Sequence, residues 1–278
     1  MSFYPQPNKY QCGPFALKYA LVMLGIFKDE DEIGITAGST WWAGTDEIGL
    51  SRAARRYKCK MKHFQSSNPI DAKRALNQLL KKRIPCILSV NNWEHWLTVI
   101  HYSKGQYVIV DSELEDVVAI LNAKQLIKKW RYKDESEGIV SYDGYAIIPK
   151  FKVITRAKFT IDKAIELMYD KNKNLASKWD EYFNDLVQIA RTRTSLTVNY
   201  MTFSEFLRRN GKKLIKQVAD WHGSPTQSEL KKILQNMQFI ADIYDFIIPT
   251  EDEKKALIDL SSVLMMYSCG KYGMSKIY

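Results

Sequence analysis

The chain has 278 residues, 46% of them hydrophobic and 26% charged, with a formal net charge of +10. This is a globular composition with room for one large domain or two ordinary ones, and no apolar run approaches a membrane span. The charge is spread, with 21 Lys/Arg against 16 Asp/Glu in residues 1–150 and 20 against 15 in the remainder. An even spread without a basic run argues against nucleic-acid binding and fits a basic surface or an acidic protein partner better.

In chain order, the first marked element runs from Cys12 to about Gly25. Pro14 suits a first helical turn and Gly25 suits an exit. Lys18 is the one strongly polar residue between them, so the helix is expected inside the domain. Thr45 is expected to cap a helix with Asp46 and Glu47 in its first turn, after a loop carrying Trp41 and Trp42. Cys59–Phe64 alternates as a strand, Asn68-Pro69 opens a helix and Pro85–Val90 is a short apolar strand. His95–His101 and Tyr107–Asp111 flank Ser103-Lys104-Gly105-Gln106, which is a hairpin signal. Asn122 is expected to cap a helix through Trp130, and Tyr145–Pro149 reads as the last strand.

From Thr160 onward only helical periods appear, at about 161–171, 175–192, 203–221, 225–247 and 251–268. Thr202, Ser224 and Thr250 each precede a Glu or Gln at the capping-box spacing. The pattern predicts an α+β domain at 1–150 and an all-helical domain at 151–278, without internal repeats. On the 203–221 helix, Arg208, Arg209, Lys212, Lys213 and Lys216 make a basic face that is either simply solvated or a docking surface for an acidic partner. His222 is expected at that helix end, near the terminal carbonyls.

Cys12 is the candidate nucleophile. The free N–H groups and positive dipole end of its helix favour the thiolate, the nucleophilic form. Gln6 offers a side-chain amide to a developing oxyanion, and the Cys12 N–H offers a second donor; Gln11 is a rival for the first role. A cysteine nucleophile needs a base with an orienting partner. His95 opens one hairpin strand and Asp111 ends the other, so both sit at one end of the hairpin. Counted back from the turn, Asp111 faces Leu97 or Thr98, so a meeting with His95 requires a diagonal contact, twist or bulge. Trp41, Trp42, Trp93 and Trp96 are candidates for a substrate groove. His101 reads as structural. Cys59 and His63 have no second Cys/His pair, so no metal site is expected. The four cysteines lack disulfide-type spacing, which suggests a reducing cytoplasm; no signal peptide is recognisable.

A Gln six residues before a Cys that opens a buried helix resembles the papain-like cysteine proteases. Cys12-Gly13 with its small, apolar continuation is most similar to the C39-like peptidase branch. Asn92–Val99 resembles that family's His block and Tyr107–Asp111 its Asp block, over about residues 1–149. The resemblance implies a central helix packed on an antiparallel sheet and a Cys12–His95–Asp111 triad with Gln6 at the oxyanion. It implies cleavage of a peptide bond in a protein or peptide substrate through an acyl-enzyme, without metal or organic cofactor. An acyltransferase, such as the phytochelatin-synthase-like branch, or a deamidase would use the same triad. A binding module on a retired protease domain is the reading outside enzyme chemistry.

Overall fold

The computed structural model describes residues 3–154, 157–168, 175, 178–219, 221 and 225–273, with side chains as far as residue 269. His222, Ser224 and residues 169–171 of the expected 161–171 helix lie outside the described residues. Two compact units result: residues 3–153 with 159–168, and the described remainder.

The first unit begins with α1, Cys12–Val22, whose residues are all buried, Lys18 included. Gly25, at φ +76°, allows the chain to leave the helix. Helices α2 (Glu30–Ala37) and α3 (Glu47–Arg56) follow. The cap of α3 is Asp46 and not Thr45: Asp46 Oδ1 accepts from the Gly49 N–H at 2.7 Å. The Thr45 hydroxyl instead lies 2.5 Å from Ser39 Oγ.

The strands are β1 Cys59–Ser66, β2 Cys86–Val90, β3 His95–Ser103, β4 Gln106–Val110, β5 Val118–Asn122, β6 Tyr132–Lys133 and β7 Val140–Pro149. They form an antiparallel sheet in the order β1-β7-β2-β3-β4-β5, with β6 paired to β7 beside that path. Helices α4 (Pro69–Lys81) and α5 (Ala123–Trp130) have the expected caps, Asn68 and Asn122, the latter in a full capping box with Gln125. Residues of α1, α3 and Ile87 share one core cluster; residues of α4, α5, Leu88, Leu97 and Val99 share another. With both faces covered, β2 is buried at every position, and it is apolar at all but Ser89. Helix α6, Ile161–Met168, packs on β3, β4 and β5 of this unit, although its sequence suggested the helical domain.

The second unit holds α7 Trp179–Ile189, α8 Phe203–Val218, α9 Gln227–Tyr244 and α10 Glu253–Gly273. Trp179, Phe183, Phe203, Phe206 and Tyr244 form its buried aromatic interior. It is helical as expected, with one addition: β8 Tyr200–Thr202 pairs with β9 Ile247–Pro249. Asp245, at φ +55°, ends α9 and releases Ile247 to the strand. The capping box of α9 is Thr226 with Glu229, two residues beyond Ser224. On α8, Arg208 and Arg209 both pair with Glu205, at 2.7 and 2.6 Å. The basic face offered to a partner is reduced accordingly. Among the described residues no helix is long and apolar enough to cross a membrane.

Lys18 explains how a wholly buried helix tolerates a charge. Its Nζ lies 2.8 Å from Glu30 Oε2 and 4.0 Å from the Tyr4 ring centroid, and the Tyr4 hydroxyl donates to Glu30. The pair ties α1 to α2 and to the segment that carries Gln6. Removing one partner leaves the other charge buried. Glu30→Ala is expected to cost about 3–5 kcal/mol in urea unfolding, and Lys18→Met with Glu30→Leu markedly less.

Candidate active site

Cys12 is the first residue of α1 and is 6% exposed. Its neighbour Gly13 is required by packing: an added Cβ would stand 2.8 Å from Thr45 Cβ. The helix is fixed against the sheet by Thr98, whose buried hydroxyl donates to the Ala16 carbonyl at 2.7 Å. Ala16 lies one helical turn beyond Cys12, and Thr98 three residues beyond His95, so this bond helps set Cys12 against the histidine strand.

His95 opens β3 and Asp111 directly follows β4. In the turn-proximal half, Ser103 pairs with Gln106 and His101 with Val108; beyond Ile100, Val99 pairs with Ile109 and Thr98 with Val110. Ile100 is therefore a bulge. Extended by one step, the ladder sets Asp111 opposite Leu97, which shares a face with His95. The diagonal contact forms: His95 Nε2 lies 2.7 Å from Asp111 Oδ1, and both side chains are buried. The other imidazole nitrogen, Nδ1, is buried without an oxygen or nitrogen hydrogen-bond partner. Cys12 contributes to the raised pKa of the imidazole, and Glu113 Oε1 stands 3.5 Å from Nδ1.

Three neighbours of this pair went unrecognised in the sequence. Ser112 accepts the Gln6 N–H at its carbonyl, 2.9 Å, and donates its hydroxyl to Gln6 Oε1, 2.5 Å. That fixes the Gln6 amide with its NH2 turned from Ser112. Lys129 of α5 brings Nζ to 3.0 Å from Asp111 Oδ2. Glu113 donates its N–H to Asp111 Oδ1 at 3.2 Å. Ser112 and Glu113 adjoin a candidate already named and were findable; nothing local marks Lys129. Gln11 lines a separate cavity of about 410 Å³ with Tyr10, Glu30 and Trp41.

The turn before His95 is unusual. Asn91, Asn92 and Trp93 all have positive φ, +54°, +57° and +68°. Asn tolerates this region and Trp does not, so the turn must be held from outside. The Asn91 N–H donates to the Lys129 carbonyl at 3.0 Å, the Lys133 N–H to Asn92 Oδ1 at 3.3 Å, and Trp93 Nε1 to Asp143 Oδ2 at 3.2 Å. Trp93 also stacks on Tyr132 at 3.7 Å. Trp96 donates to the Thr45 carbonyl at 3.0 Å. These two candidates are tied into the fold, while Trp41 and Trp42 project from their loop at 75% and 64% exposure. His63 pairs with Asp143 at 2.9 Å, and Cys59 is buried in the core. His101, whose pKa burial and Arg83 lower, lies beyond the bulge at the turn end of β3.

Burial by itself would lower the His95 pKa, but the hydrogen bond and charge of Asp111, with those of Cys12, raise it to about 9. Burial likewise opposes ionisation of Asp111, and His95 and Lys129 overcome it and hold the carboxyl below its ordinary value. Because His95 binds its proton more tightly folded than unfolded, its stabilisation is complete below about pH 6.5 and disappears as pH rises through about 9. Unfolding free energies measured from pH 6 to 10 are expected to fall by a few kcal/mol more in the wild type than in His95→Gln.

Comparisons with known proteins follow the same lines. Residues 1–133 match the Peptidase C39 family. The peptidase domain of Streptococcus ComA, a bifunctional ABC transporter of a quorum-sensing pathway, is similar at 14% identity and TM-score 0.40, over 54% of this chain and 98% of that one. A double-glycine-motif protease of an AMS/PCAT transporter is similar at 17% identity and TM-score 0.38, over 51% and 89%. The peptidase domain of Streptococcus mutans ComA gives 14% identity and TM-score 0.34, over 51% and 98%. No curated protein matches the chain. The N-terminal region that holds Cys12, His95 and Asp111 is thus the part of the chain that matches the Peptidase C39 family, 133 of its 278 residues.

Proposed function

We propose that this protein is a cysteine peptidase that cleaves a peptide bond in a protein or peptide substrate. The observation that carries the reading is the buried 2.7 Å contact between His95 and Asp111, with Cys12 acting on the same imidazole. The Cys12 thiolate attacks the substrate carbonyl carbon, and the carbonyl electrons move to its oxygen. The Gln6 amide and the Cys12 N–H donate to that oxyanion. His95 holds the proton as imidazolium and delivers it to the leaving amine as the C–N bond breaks. Water, deprotonated by His95, then releases the acyl group from sulfur. Asp111 orients the ring throughout, and Lys129 balances the second oxygen of its carboxylate. The free cysteines are compatible with a reducing cytoplasmic setting.

Burial pushes the Cys59 thiol up to about 11 and the Cys86 thiol further. Iodoacetamide at pH 6 is therefore expected to modify Cys12 well ahead of either, and His95→Ala to slow that modification at least about tenfold. Equal labelling of all the cysteines in the folded protein contradicts an activated nucleophile.

A second measurement separates the oxyanion role from nucleophile activation. Cys12→Ala is expected to retain the peptide substrate for identification by mass spectrometry. On that substrate, Gln6→Ala should lower kcat about 10²–10³-fold while leaving Cys12 alkylation nearly unchanged. Parallel loss of both would make Gln6 a structural residue.

A further inference from the structure

We propose that Asp143 of β7 is a positioning residue for the reaction, fixing through the indole of Trp93 the turn that presents His95 to Cys12; this rests on the peptidase reading and extends it to a strand outside the Cys12–His95–Asp111 set.

Val90 and His95 face each other across the β2–β3 ladder, and Asn91–Glu94 join them. His95 is the first residue of its strand, so the direction of its side chain depends on this turn. Residues 91–93 are left-handed in succession, a region that L-residues normally visit singly. Residue type favours that conformation at the two asparagines and opposes it at Trp93. The Trp93 ring is half exposed, yet it is held on a face and at an edge. Its face stacks on Tyr132 at 3.7 Å, and its Nε1–H donates to Asp143 Oδ2 at 3.2 Å.

Asp143 is itself rigidly placed. The β2–β7 ladder ends at Leu88–Gly144, and Asp143 is the next residue of β7. It is 7% exposed. The Ser141 hydroxyl donates to the oxygen that Trp93 uses, and His63 Nε2 lies 2.9 Å from the other. Gln65 in turn donates to Ser141 Oγ at 2.9 Å, which orients that hydroxyl toward the carboxylate. The main-chain carbonyl of Asp143 accepts the Trp130 Nε1–H at 2.7 Å. Lys129, the residue before Trp130, accepts the Asn91 N–H at its carbonyl and meets Asp111 with its Nζ. Asp143 thus braces the turn before His95 with its side chain, and the helix end that reaches Asp111 with its main chain. Only the first brace is lost when the side chain is replaced, so the two supports are separable.

Iodoacetamide labelling of Cys12 in the full-length protein, followed from pH 5 to 10, tests this. Asp143→Ala removes the acceptor, the turn relaxes and His95 moves from Cys12. The labelling profile then shifts toward that of an ordinary thiol: the rate at pH 6 is expected to fall about tenfold and to converge with wild type above about pH 9. Trp93→Phe keeps a ring for Tyr132 but loses the N–H, and should shift the profile equally. The double variant should do no more than either substitution alone. Asp143→Asn keeps a carbonyl for the indole and should restore most of the wild-type profile. Lost stability alone lowers the urea midpoint without moving the profile of the folded protein. If Asp143→Ala does not fold, Trp93→Phe and Asp143→Asn decide. An unmoved profile in the variants lacking donor or acceptor overturns the proposal, as do additive effects or an Asp143→Asn as impaired as Trp93→Phe. A wild-type Cys12 without enhanced labelling at pH 6 contradicts the peptidase reading instead. An NMR titration of the His95 imidazole then decides the positioning: Trp93→Phe should lower its midpoint, and an unchanged midpoint overturns the role of Asp143.

Discussion

The face on which Asp111 emerges depends on the bulge at Ile100. Side chains alternate along a strand, so a shift of one residue moves every later side chain to the opposite face. An unbroken β3–β4 ladder from Ser103 and Gln106 would carry Asp111 opposite Thr98, whose hydroxyl points to the Ala16 carbonyl of α1. With Ile100 bulged, Asp111 falls opposite Leu97 and becomes the diagonal neighbour of His95. Lys129, reaching from α5, meets the same carboxylate. The buried acid thus has two cationic or proton-bearing partners, which is what allows it to remain ionised in the interior.

Cys12 is set by a different group of contacts with the same precision of register. Gly13 admits Thr45 against the first turn of α1, Thr98 fixes the second turn to β3, and the Lys18–Glu30 pair anchors the middle. Tyr4 joins that pair two residues before Gln6, and Ser112 holds Gln6 from the residue after Asp111. Gln6 and Asp111 are therefore attached to one another through Ser112. Displacing the N-terminal segment would move both ends of the site's hydrogen-bonding frame.

Much of the site was legible because its residues terminate elements. Cys12 opens a helix, His95 opens a strand and Asp111 follows one, and such ends are marked by Pro, Gly and the change of period. Hairpin counting also exposed the need for a twist or bulge, though not its place at Ile100, since a buried isoleucine looks the same in and out of a ladder. Lys129 was not legible: its relation to Asp111 arises only when α5 packs across the sheet end. Thr45 has the residue type of a cap, but Asp46, one residue on, takes that role. Helix α6 was assigned by its period to the helical part, yet its buried Ala164 and Leu167 belong to the first unit. Period identifies a helix, not the surface it covers.

The raised pKa of His95 requires Asp111 and Cys12 together to outweigh its burial. The most direct measurement is an NMR titration of the His95 imidazole in the wild type and in Asp111→Asn. The expected result is a wild-type imidazolium that persists to about pH 9 and a clearly lower midpoint in the variant. A wild-type His95 that titrates at or below its ordinary value, unchanged by Asp111→Asn, would contradict the arrangement described for this site.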